Sequence, residues 1–129
     1  MKYRVVVGIV LISLLSACKS TMVLWRDSID QTKKTYNTYL SCVAESEVEN
    51  MDSELNPEQL AAYARALCDK EINAYLVSIE SMVSYVPKIY PVGYVEERIK
   101  SAVDDSEELA TSILALRKTG SIKSNNMTD

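Results

Sequence analysis

Histidine and phenylalanine are absent from this 129-residue chain, glycine and proline occur three times each, and tryptophan once. Each shortage narrows the chemistry. Without histidine there is no general base of the commonest kind, no imidazole metal ligand and no serine or cysteine triad of the usual build. With no phenylalanine but eight tyrosines, aromatic packing falls to rings whose hydroxyls need water or a partner. That predicts a slender molecule with half-exposed rings. Lys19 to Asn56 holds neither glycine nor proline, so a long helix there meets no breaker. No strand alternation, internal repeat or second domain is visible. The net charge of −4 at pH 7 argues against nucleic acid or anionic lipid headgroups as principal partners.

Residues 5–17 form one apolar run, preceded by Lys2 and Arg4 and closed by Leu15-Ser16-Ala17-Cys18. A bilayer-crossing helix needs roughly 17 to 25 apolar residues, which this run does not reach. A positive start, an apolar middle of about 7 to 15 residues and small residues at a cut describe a secretory signal instead. Leu15-Ser16-Ala17-Cys18 resembles the lipobox of bacterial lipoprotein precursors. The resemblance implies that the Cys18 sulfur receives a diacylglyceryl group, that the chain is cut before Cys18, and that the new amine is acylated. Lys19, where an aspartate would favour retention in the inner membrane, implies an outer-membrane anchor, here expected to face the periplasm. Loss of Lys2 and Arg4 takes the formal charge of the mature chain to −6.

The expected organisation is a cleaved signal peptide (1–17), an acylated N-terminus and short tether (18–24), a helical domain (25–119) and a flexible tail (120–129). Trp25, Ile29, Tyr36, Leu40 and Val43 recur at helical spacing, predicting a first helix over about 22–50. Asn56-Pro57-Glu58-Gln59 reads as an N-cap asparagine, a proline at the first helical position and a glutamine three residues after the cap. Leu60, Ala64, Cys68, Ile72, Tyr75, Ile79, Met82 and Val86 predict one second helix ending near Tyr85, because Pro87 forces Val86 out of helical geometry. Val95, Ile99, Ala102, Ser106, Leu109, Ile113 and Leu116 form a heptad seam with one polar interruption at Ser106. Arg117 and Lys118 suit the last turn of that third helix, and Gly120 ends it. The fold class expected is all-α, an antiparallel three-helix bundle stapled by one disulfide.

The staple follows from register. Facing residues in an antiparallel helical hairpin have a nearly constant sum of positions, and Cys42 and Cys68 average to 55, beside the Asn56-Pro57 break. In an exported compartment such a pair is most simply a disulfide. A redox pair favours Cys-x-x-Cys, and zinc wants four ligands that two cysteines without histidine do not supply.

Two surfaces stand out. Residues 85–94, "YVPKIYPVGY", return to the end of the bundle that holds Cys18. There Tyr85, Ile89, Tyr90, Val92 and Tyr94 either cap the core or meet a membrane or partner. At the far end an acidic tip gathers Glu45, Glu47, Glu49, Asp52, Glu54 and Glu58, with no basic residue between Lys34 and Arg65. It reads as a solvated loop or a dock for a basic partner, with Arg117, Lys118 and Lys123 neutralising part of it. "ESEVEN" fails as a calcium loop, since Asn50 stands where the loop's glycine belongs. Glu96, Glu97, Asp104, Asp105, Glu107 and Glu108 read as a solvated face of the third helix.

The expected function is therefore non-catalytic. It is that of a lipid-anchored envelope lipoprotein that binds a protein partner, with no small-molecule substrate, no metal and no cofactor beyond the acyl groups on Cys18. Pilotins, small lipoproteins that carry secretin subunits to the outer membrane, offer an architectural analogy. An exclusion or immunity lipoprotein of a mobile element is the alternative, and an enzyme using carboxylates alone is the third class.

Overall fold

The computed structural model describes the backbone of residues 2–122 and the side chains of residues 21–122. The lipobox side chains, Lys19 and Lys123 lie outside the described residues. Within them the chain is all-helical: α1 (Lys2–Asn50), α2 (Pro57–Leu67), α3 (Asp69–Tyr85), a single 3-10 turn (Pro87–Ile89) and α4 (Tyr94–Lys118). No helix among the described residues is long and apolar enough to cross a membrane.

Local chemistry explains most boundaries. The Asn56 side chain accepts from the Gln59 N–H at 2.9 Å, and the Gln59 side chain accepts from the Asn56 N–H at 3.2 Å. This reciprocal box starts α2 with Pro57 at its first position. α3 stops at Tyr85, one residue before Val86 takes a non-helical φ of −142° ahead of Pro87. Gly93 precedes α4 at φ 82°, a left-handed conformation that glycine adopts without a Cβ penalty.

Three expectations change. The single second helix is two, because Cys68 (φ −100°, ψ 26°) interrupts it between α2 and α3. The Cys68 N–H is shared between the carbonyls of Ala64 and Arg65 at 3.0 and 3.2 Å, which tightens that turn. The break lets α2 pack on α4 while α3 packs on α1. The tether expected at 18–24 is instead part of α1, as the absence of glycine and proline there permits. Leu116, placed at the end of the third seam, is 45% exposed.

The Sγ atoms of Cys42 and Cys68 stand at disulfide distance, with the Cα atoms 6.0 Å apart. Further along the same pair of helices, the Thr32 hydroxyl reaches the Ser78 carbonyl at 3.1 Å. Both contacts obey one antiparallel register between α1 and α3. The deepest line of α1 is Ser28, Thr32, Tyr39, Val43 and Ser46, while Trp25, Ile29, Tyr36 and Leu40 flank it half-buried. Small hydroxyl residues let α3 approach closely, and they bond across the gap: Thr35 Oγ1 and Ser78 Oγ are 2.8 Å apart. The main core gathers Tyr39, Val43, Cys68, Tyr75, Ile79, Met82 and Ala102. A smaller one joins Leu60 and Ala61 to Ala110.

Candidate interaction surfaces

Every apolar residue that α1 presents before Trp25 within the described side chains is outside the core. Met22, Val23 and Leu24 are exposed. Beside them the connector between α3 and α4 is clipped to α1, because Trp25 Nε1–H donates to the Tyr90 hydroxyl at 3.1 Å. The rings of Tyr90 and Tyr94 meet at a 45° tilt with centroids 4.8 Å apart, and both pack on the main core. The five residues expected as a contact patch therefore divide. Tyr85, Tyr90 and Tyr94 are half-buried, and Ile89 and Val92 point outward, Val92 with no cover at all. The 3-10 turn and the αL glycine hold the two aliphatics out while the rings turn in.

At the other end, Glu45, Glu49, Asp52, Glu54 and Glu58 are exposed. Glu47 is not part of this tip. It is fully buried, and neither carboxylate oxygen has a hydrogen-bond partner. The helical turn explains the correction: Val43, Ser46 and Glu47 share one face of α1, which α2 and α4 cover. Burial pushes the Glu47 carboxyl from the ordinary 4.5 up to about 7, against a smaller opposing pull from Arg65. Arg65 is committed elsewhere: its Nη1 donates to Ser106 Oγ at 2.8 Å and lies 3.6 Å from the Glu107 carboxylate. Ser106, the polar interruption of the third seam, is thus the buried acceptor that ties α2 to α4.

Arg117 does meet the tip, bonding the Asp52 carboxylate at 2.8 Å and the Met51 carbonyl at 2.7 Å. Between the start of α2 and the end of α4 lies an open cleft of about 730 Å³, floored by Leu55, Pro57 and Leu114 and rimmed by Glu54, Arg117 and Lys118. Nothing in the hydropathy pattern announced it, since it arises where two helices diverge.

No family model, curated protein or solved structure matches this chain. Asp105, expected on a solvated face, accepts a hydrogen bond from the Tyr36 hydroxyl. Burial first, and that carboxylate second, hold the Tyr36 hydroxyl well above the ordinary phenol range. Arg98 completes the cluster, its Nε donating to the Tyr75 hydroxyl at 3.2 Å with the guanidinium carbon 5.9 Å from the Tyr36 ring centroid. These groups bond one another across α1, α3 and α4, so the arrangement reads as a structural lock. Cys42, Cys68 and Glu71 offer three donor atoms within 4.8 Å, but two of these are the sulfurs at disulfide distance and carry no free thiolate for a metal.

Proposed function

We propose that this chain is a non-catalytic, lipid-anchored envelope lipoprotein that binds a protein partner, an accessory or assembly factor of the pilotin kind at the outer membrane. In this reading Cys18 carries the acyl groups, and α2 and α3 serve as one kinked rod of an antiparallel three-helix bundle stapled by Cys42 and Cys68. The observation that carries the binding role is the α2–α4 cleft. An apolar floor of Leu55, Pro57 and Leu114 between Glu54 and Lys118 suits the apolar face of a short amphipathic helix with charges at its edges. The alternative, an exclusion or immunity lipoprotein of a mobile element, draws on the five exposed carboxylates of the tip, which suit a basic partner.

The test is cross-linking in living cells followed by capture of a C-terminally tagged chain, comparing the native protein with Cys18→Ala and with Ala115→Glu. Ala115 is exposed on the cleft wall, so its replacement fills the cleft and spares the core. One envelope partner captured by the native chain and lost in both variants is the expected result. Capture that survives Ala115→Glu refutes the cleft, and Cys18→Ala that still sediments with washed membranes refutes the anchor.

A further inference from the structure

We propose that the end of the fold nearest Cys18 is a membrane-seated collar, in which Met22, Val23 and Leu24 of α1, with Ile89 and Val92 of the connector, enter the headgroup layer of a phospholipid bilayer. The proposal rests on the lipoprotein reading, since it takes Cys18 as the anchor point. Three observations lead to it.

The first is shape. Met22, Val23 and Leu24 are consecutive on a helix and 55%, 56% and 47% exposed. At 3.6 residues per turn they spread over more than half the circumference of α1. A partner helix or groove covers one stripe of a helix, whereas a fluid interface surrounds it. Ile89 and Val92 extend the ring from a second segment, which the Trp25–Tyr90 hydrogen bond holds at the same level.

The second is depth. α1 is unbroken through this region, so Met22 to Leu24 lie roughly 6 to 9 Å along the helix from Cys18 at 1.5 Å per residue. The polar interface on each side of a hydrocarbon core is about 5 to 8 Å thick. An acyl-anchored Cys18 at its inner edge therefore sets Met22 among the headgroups and carries Val23, Leu24 and Trp25, the last about 10 Å out, to the water-facing side of the headgroup layer, where tryptophan is favoured.

The third is charge. Segments 18–26 and 85–95 contain Lys19, Arg26 and Lys88 and no carboxylate, although the chain as a whole is acidic. Exposed Asp27, Glu96 and Glu97 begin immediately beyond these segments, so the carboxylate-free zone is a narrow one confined to the collar itself. Within that zone the three cations can meet lipid phosphates.

Trp25 is the only tryptophan and reports on the collar directly. The acylated mature chain, purified in detergent, is reconstituted into phosphatidylethanolamine–phosphatidylglycerol vesicles carrying phospholipids spin-labelled at the headgroup. Vesicle flotation verifies the anchor separately. The expected result is strong quenching of Trp25 in the native chain and quenching weaker by about threefold in Ile89→Glu/Val92→Glu. Both residues are exposed, so the variant floats equally and keeps its helical circular dichroism. A native chain that floats but is barely quenched, or is quenched no more than the variant, overturns the collar while leaving the anchor intact. A chain that fails to float removes the anchor and the collar together. Shielding of Trp25 found in whole envelopes but not in pure lipid vesicles assigns the collar to a protein partner and overturns the bilayer assignment.

Discussion

Replacing Glu47 by glutamine is expected to change the pH dependence of folding far more than its stability at any one acidic pH. Glu47 is fully buried with both oxygens unpartnered, and its carboxyl titrates near 7 rather than 4.5. The folded chain therefore holds this proton more tightly than the unfolded chain. The stability that follows from the raised value is whole below 4.5 and is lost as pH rises through 7. At about 1.36 kcal/mol per pH decade, the interval corresponds to roughly 3 kcal/mol. Glutamine has no proton to lose. Its buried amide carries a fixed cost at every pH, so the informative quantity is the difference between the two proteins across the pH range. Urea unfolding followed by far-UV circular dichroism from about pH 4.5 to pH 8 should show Glu47→Gln gaining roughly 3 kcal/mol on the native chain over that range. In a domain of this size, that corresponds to about 10 °C or more in Tm. Parallel stability curves would refute the argument, because they would mean that Glu47 keeps its charge hydrated or paired in solution.

Replacing Cys42 and Cys68 together by serine opens a loop of sequence separation 26 and should cost roughly 3 to 4 kcal/mol in the chain-entropy model, read as a lower urea midpoint. The native protein should become sensitive to reductant by a similar amount. Asn56→Ala removes the acceptor for the Gln59 N–H and should cost about 1 kcal/mol in the same assay. Ser106→Ala strips Arg65 of its buried hydroxyl acceptor. It should destabilise by about 1 to 3 kcal/mol, and a double-mutant cycle with Arg65→Met should show that the two losses are not additive.

Local signals were legible where a single residue type decides the outcome. The capping box at Asn56 and Gln59 and the stop before Pro87 follow from backbone chemistry that acts within a few residues. The pairing of Cys42 with Cys68 was legible for a related reason: once the turn is known, register in a helical hairpin is arithmetic. The core seam of α1 was less so. Hydropathy selects Trp25, Ile29, Tyr36 and Leu40, but the line in deepest contact runs through Ser28, Thr32 and Tyr39. Close helix approach rewards small side chains that satisfy their hydroxyls across the interface. The Ser28, Thr32 and Thr35 spacing, set against Ser78, carried that signal.

By itself, then, the sequence determined the helical class, the turns at Asn56 and Pro87, the disulfide register and the apolar run that ends at Cys18, because each depends on short-range preference or on spacing along one chain. Only the tertiary structure decided which side of a helix is covered. It split the second helix at Cys68, moved Glu47 from the acidic tip to the interior, gave Ser106 to Arg65 and divided the 85–94 segment into rings turned in and aliphatics turned out. Burial and partner choice belong to the angle at which helices cross, and that angle is set by all of their contacts together.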